Sequence, residues 1–339
     1  MPTLASVHID RALTNLSIAY CNEDYVADMV APILPVDKRS DKYFVYDKEG
    51  FLKASGLDTN GLPKSIRRPT SEAAEVDFTL STDSFFCEEY SLSELVPYEN
   101  VQAADAPLQP YIDATETLTD KIMLDIEIGV ATKAMKAGNY PSANKVTLTT
   151  GGSGTSWASY TSTASVPFTN LSNAKNAVRS SIMRIPNRIL LNYQVAEILS
   201  GHPAYLDRYK YTTNEIATKS GLNPVIRGLQ VVEGSAIKAT NVDGATFASG
   251  DVWVDSGSNA AALVYYSDRS VAPRSMHFMR QFEAPDAALG TRGYTTQRFE
   301  LPSRKSSKVQ VSTTRDFKFV AVNGSSQGIG GYLILSAIV

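Results

Sequence analysis

The sequence predicts an α+β protein, on three observations. In the middle of the chain Ile185-Pro186-Asn187-Arg188-Ile189-Leu190-Leu191-Asn192 runs into Val195-Ala196-Glu197-Ile198-Leu199 and then His202-Pro203. That is a short apolar strand, a turn, a helix, and a stop where proline removes its predecessor from helical space. Earlier, Leu118, Ile122, Ile126, Val130 and Ala134 recur every fourth residue, the mark of an amphipathic helix. Late in the chain, alternating Val309, Val311, Phe317 and Phe319 and the closing Gly331-Tyr332-Leu333-Ile334-Leu335 read as strands.

In chain order, residues 1 to about 40 are mixed, with a short amphipathic turn at Leu13, Leu16, Ile18 and Ala19. Val30-Ala31-Pro32-Ile33-Leu34-Pro35-Val36 is expected to be wholly extended, because prolines 32 and 35 restrict their predecessors. It reads as an arm with little core of its own, lying on something else. Residues 43–46 and 76–80 are strand candidates, joined by a stretch with five Gly or Pro residues and with Lys64, Arg67 and Arg68. So long a connection without apolar period reads as a projecting two-stranded excursion.

The helix is expected over 107–137, with Pro107 and Pro110 at its start and Gly138-Asn139 at its exit. From Pro110 it would run roughly 40 Å. A second apolar face, Leu124, Ile128, Ala131 and Met135, implies contacts on two sides. Residues 138–166 form a polar linker tacked down by Trp157 and Tyr160, and mark a boundary. A helix capped by Asn170 or Ser172 should reach Met183. Strand 189–191, helix 193–200, helix 213–220, and strands 229–232, 252–254 and 262–266 follow. Residues 276–322 are expected as two extended segments around a polar turn at 285–293, and 331–339 as a buried strand.

With 339 residues, 43% hydrophobic and 20% charged, the chain can bury two or three globular units. A net charge of -3 argues against a protein that coats nucleic acid with a basic face. Two cysteines, Cys21 and Cys87, are too few for a disulfide framework and read as reduced thiols. No signal peptide or spanning segment is visible, so a soluble protein made in the cytoplasm is expected.

The chain resembles the major capsid proteins of tailed bacteriophages, with the HK97-like shell fold, and looks nearest the branch of the lambda major head protein. The resemblance rests on ordered matches along about 300 residues: the 30–36 arm before Tyr43, Pro186-Asn187 with its strand and the helix ending Leu199-Ser200-Gly201-His202-Pro203, then Tyr209-Lys210-Tyr211, Ile216 to Leu222 into Val231-Val232-Glu233-Gly234, Val252-Trp253 before Leu263-Val264-Tyr265-Tyr266, and Gly331-Tyr332-Leu333-Ile334. One departure is Ala158 after Trp157, where relatives often have an acid.

The resemblance implies an N-terminal arm (1–40), an E-loop hairpin (41–80), a peripheral domain (81–165 and 270–322, with a spine helix about 110–137) and an axial domain (166–269 and 323–339). It implies a structural protein that self-assembles into hexamers and pentamers of an icosahedral shell around double-stranded DNA, in the virion. Portal, scaffolding or decoration proteins are possible partners, and no membrane is involved. An encapsulin-like compartment is the alternative in the same fold. A soluble α/β enzyme or ligand-binding protein is the alternative of another class.

No catalytic, cofactor or metal site is expected. His8, His202 and His277 have no metal-ligand spacing, and His202 before Pro203 reads as a helix terminator. Gly151-Gly152-Ser153-Gly154 lacks the Lys and preceding strand of a phosphate loop. Lys53 and Lys64 are given no crosslinking role. The charge pattern says more. From Thr82 to Thr132 there are eleven acids and one base, and from Arg269 to Lys318 ten bases and four acids. The two segments are expected to face each other within or between subunits, setting register and partner choice. The inter-subunit contact candidates are Lys64, Arg67, Arg68, Glu88, Glu89, Glu94, Arg292 and Arg298.

Overall fold

Two six-stranded sheets and one long helix organise the chain. The computed structural model describes residues 8–9, 25–45, 65–67, 69, 72–73, 81–104, 109–149, 155–209, 220–242, 245–268, 270, 275–286 and 290–338. In order these hold β1 (His8–Ile9), α1 (Ala27–Val30), β2 (Ile33–Pro35), β3 (Ser40–Val45), β4 (Ser81–Phe86), β5 (Glu88–Pro97), α2 (Tyr98–Ala103), α3 (Pro110–Ala134) and β6 (Lys145–Thr147). There follow α4 (Pro167–Ile182), β7 (Arg188–Asn192), α5 (Tyr193–Gly201), α6 (Pro203–Tyr209), β8 (Val225–Ile226), β9 (Leu229–Gly234), β10 (Ile237–Ala239) and β11 (Ser249–Asp251). The last are β12 (Ala262–Tyr265), β13 (Met279–Glu283), β14 (Thr295–Leu301), β15 (Ser306–Phe319) and β16 (Gly331–Leu335).

The first sheet is built around β15. β14 and β13 lie along one side of it, pairing with 306–312 and 315–319, and β5 pairs with 306–315 on the other. β1 extends the sheet beyond β14 and β2 beyond β13. The second sheet has the order β6-β16-β12-β7-β9-β8. Its middle strands are apolar on both faces, as a sheet covered on both sides requires. Leu190, Leu263, Tyr265 and Leu333 face the core that contains α3. Ile189, Leu191, Ala262, Val264 and Ile334 face the core that contains α4 and α5. Each fully buried Leu or Ile contributes about 1.5–3 kcal/mol.

Helix α3 has Pro110 at its first turn and spans Pro110–Ala134, not 107–137. It stops at Ala134 because side chains satisfy its last carbonyls: the Tyr140 hydroxyl donates to Ala134 O and Asn139 Nδ2 to Lys133 O. The expected ladder is buried at Leu118, Ile122, Ile126, Val130 and Ala134, and Ala131 and Met135 of the second face are buried too. Helix α4 begins at Pro167, so Asn170 and Ser172 lie inside it and cap nothing; proline at N1 supplies the start. It buries Leu171, Ala174, Val178 and Ile182. Asn192 caps α5 by accepting from Gln194 N. His202 ends α5 as expected, and Pro203 at once starts α6, which the sequence reading did not resolve.

Four further expectations change. Val30 is the last residue of α1, because only Ala31 directly precedes Pro32 and only Ala31 leaves helical geometry (φ -125, ψ 89). The arm from 25 to 36 lies on the chain's own body, with β2 parallel to β13. Val252–Val254 is a bend with a bridge from Val254 to Ala260, since Trp253 turns fully into the core. Residues 276–322 hold three strands, because Pro302–Arg304 turns the chain between β14 and β15. β3 and β4 pair as an antiparallel ribbon, Val45 opposite Ser81. The strand expected at 76–80, the turn at 13–19, the helix at 213–220 and Gly151–Gly154 lie outside the described residues. The linker is tacked down as expected: Trp157 N donates to Ala337 O and the Tyr160 hydroxyl to Ile198 O. With β6 parallel to β16, residues 145–147 join the second sheet.

Candidate assembly surfaces

The β3–β4 ribbon is anchored by aromatic packing. Phe85 stacks on Phe282 at 4.5 Å between ring centroids, and Tyr43 leans on it at 5.0 Å. The Tyr43 hydroxyl donates to Phe319 O (2.9 Å) and Asp83 (3.2 Å). Cys87, fully buried behind these rings, donates to Phe282 O, and burial pushes its thiol up to about 11. Such a thiol is inert. On the outer face of the same ribbon Phe44 and Phe86 are 42% and 60% exposed, two large apolar side chains presented to solvent.

Beside the ribbon lies a groove of about 390 Å³ lined by Tyr43, Lys133, Lys136, Phe317 and Lys318. Lys133 donates to Phe317 O at 2.7 Å and lies 3.7 Å from Asp316; burial lowers its pKa. A second, more open groove of about 610 Å³ runs between β5 and α3, lined by Glu94, Leu95, Pro97, Asp113, Thr117 and Lys121 among others.

The candidate contact residues divide. Glu88, Glu89 and Glu94 are exposed on β5, and Arg67 is exposed. Glu89 reaches Arg39 at 3.8 Å, both partly solvated, a pair worth less than about 1 kcal/mol. Arg292 is bound to Asp37 of the arm. Arg298 is occupied inside the chain: its guanidinium lies 4.1 Å from the centroid of the Tyr111 ring and bonds the Tyr111 hydroxyl at 3.2 Å. Lys64 and Arg68 lie outside the described residues. The acidic and basic segments are neighbours within the chain, β5 against β15, with Glu88 opposite Arg315. Yet among the described residues the ion pairs of the basic segment run to Asp28, Asp37, Glu283, Glu300 and Asp316, all outside the acidic segment. Within the described residues the two segments meet by strand pairing.

Sequence reasoning missed the buried polar groups. Glu127 is fully buried on α3 and accepts from Val26 N, Ala27 N and Trp253 Nε1. Its signal was available: an acid between Leu124, Ile128 and Ala131 on an apolar face. His202 and His277 are buried, and burial lowers both pKa values. Among the described residues no group of three His, Cys, Asp or Glu side chains could hold a metal ion, and no helix is long and apolar enough to cross a membrane.

Comparison with known proteins agrees with this geometry. No family model matches the chain. The chain is 26% identical over 245 residues to the major capsid protein of Burkholderia phage BcepMu, covering 72% of this chain and 73% of that protein. It is 31% identical over 208 residues to the major capsid protein of Pseudomonas phage JBD67, covering 61% of each. The crystal structure of a phage-related protein from Bordetella bronchiseptica RB50 superposes with a TM-score of 0.68 over 98% of both chains at 23% identity. The mature capsid of bacteriophage PhiM1 (TM-score 0.55, 94% and 88% covered, 10% identity) and the holo-SrpI encapsulin of Synechococcus elongatus PCC 7942 (0.54, 96% and 94%, 10%) share the fold. The chain carries the α+β, HK97-like capsid fold and is a homologue of the major capsid proteins of phages.

Proposed function

We propose that this chain is a structural major capsid protein whose copies assemble into a phage head. The observation that carries the reading is the pair of relatives, both major capsid proteins, together with a fold shared with a phage capsid along nearly the whole chain. The role is architectural rather than enzymatic. The encapsulin likeness is one of fold alone, at 10% identity.

In finer terms, hexamers and pentamers close an icosahedral shell around double-stranded DNA, assembled in the host cytoplasm, with portal, scaffolding or decoration proteins as further partners. Near-neutral net charge supports a container that encloses DNA without gripping it in a sequence-specific way. Many modest contacts suffice, because each docked surface raises the effective concentration of the next. The first sheet with α3 serves as the peripheral domain, the second sheet as the axial domain, and the β3–β4 ribbon as the base of the E-loop.

Arg67 and the row Glu88, Glu89 and Glu94 are the best-placed charged contacts, being exposed. Sedimentation velocity of the purified protein over a concentration series tests the reading: large, uniform, fast-sedimenting species are expected, and a monomer at every concentration contradicts it. Charge reversal of Arg67 to Glu tests the finer contact, with reduced particle yield and lower salt tolerance expected; unchanged yield removes Arg67 from the interface.

A further inference from the structure

The single helical turn α1 is held from both sheets at once. From α3, Glu127 accepts from Val26 N at 3.0 Å and Ala27 N at 2.7 Å, two of the donors a helix start leaves without a partner. From the first sheet, Gln281 Nε2 donates to Asp28 Oδ1 at 2.7 Å, with the Arg315 guanidinium 4.0 Å away. From the second sheet, Arg188 Nη1 of β7 and the Tyr265 hydroxyl of β12 both donate to Met29 O, at 2.8 and 3.1 Å.

The Glu127 carboxylate also accepts from Trp253 Nε1 at 2.6 Å, in the bend that packs on the ends of β7 and β9 of the second sheet. Trp253 is seated rigidly. Its ring lies against the backbone of Gly234, where an added Cβ would come within 2.5 Å of Cδ1. Its carbonyl accepts from Asn192 Nδ2 at 3.1 Å, and the same Asn192 caps α5. A continuous polar path therefore runs from the arm through Glu127 and Trp253 to the start of α5.

We infer that α1 is a wedge locking the two sheets to each other, and that Glu127 is its latch, closed only when the arm turn and Trp253 are both seated. The carboxylate is fully buried, so losing either set of donors leaves a buried charge under-bonded and weakens its hold on the other. Burial raises the Glu127 pKa, the three donors lower it, and Asp28 is the neighbouring charge. A force on the arm is thereby felt at Trp253 and at the Asn192 end of β7, through one element with two seated partners. The inference stands apart from shell formation.

Hydrogen exchange of the full-length protein, read by mass spectrometry, tests it with E127Q and with R188M, which removes the Arg188 grip on Met29 O and its bond to the Tyr265 hydroxyl. In E127Q the expected result is exchange about tenfold or more faster both at 26–31 and at 249–254. In R188M, a substitution at a half-buried site, both segments are expected to exchange faster as well, and R188M carries the test alone if E127Q does not fold. Faster exchange confined to 26–31 in the variant measured, with 249–254 unchanged, overturns the latch.

Discussion

Strand β12 of the second sheet buries Ala262, Leu263, Val264 and Tyr265 completely, whereas β15 of the first sheet buries Ser312, Thr313, Thr314 and Arg315 to within a few percent. Both are central strands, but they are held by different physics. The second sheet gains from area removed from water and depends little on any one partner. Around Arg315 the first sheet has exchanged solvent for specific donors and acceptors, each costly to leave unmatched, whereas the Ser306 and Ser312 hydroxyls are buried with no hydrogen-bond partner among the described residues. Arg315 shows this: it binds Glu283 at 3.0 Å and Gln281 Oε1 at 3.0 Å and lies 5.2 Å from the Tyr294 ring centroid. The lesson is that the first sheet is specified by pairs and the second by volume.

The contrast breaks most sharply at Arg315. Arg315→Met leaves Glu283 buried without its guanidinium and is expected to cost about 4 kcal/mol in urea unfolding, most of it recovered in the double variant with Glu283→Leu. Failure of the double variant to recover stability would mean that the pair is not the source of the cost. In the second sheet, Leu263→Ala is expected to cost about 3 kcal/mol by lost burial and a residual cavity, with no single second substitution restoring it.

Acid should act through the histidines. His277 is fully buried, bonded to Ser267 Oγ at 3.2 Å and Ser270 O at 3.0 Å, with Arg280 and Asp268 as charged neighbours. Burial first, and Arg280 next, lower its pKa below the ordinary 6.5, so the fold favours the neutral ring. That stabilisation is complete above 6.5 and is lost as pH falls through the lowered value. Thermal unfolding between pH 7 and 5 is therefore expected to show a falling Tm, with a shallower fall in His277→Gln. At the small end, Glu89→Gln breaks only the solvated pair with Arg39 and is expected to shift stability by less than about 0.5 kcal/mol.

The same contrast explains what could be read without coordinates. The second sheet, α3 and the β7–α5 unit were readable because apolar periodicity encodes them directly: the Leu118–Ala134 ladder, Ile189–Leu191 and Gly331–Leu335 are all buried as expected. The first sheet was only half readable, because Thr295, Thr296, Ser306, Ser307 and Ser312 look solvent-facing by composition yet are buried. Val252–Val254 looked like a strand because Trp and Val favour strands. Its real determinant is the distant acceptor Glu127, 126 residues away in sequence. Of the contact candidates, Arg298 has an intramolecular partner that the sequence did not show. An arginine's partner ring, here Tyr111, is set by tertiary packing that no local pattern reports. Nor did the arm's prolines reveal that residues 25–36 dock on the chain's own sheet, since β2 pairs with β13 from far along the chain.

The most direct measurement is negative-stain electron microscopy of the purified full-length protein at high concentration. Closed hollow particles of uniform diameter are the predicted result. A field of small single subunits, unchanged as concentration rises, would contradict the account.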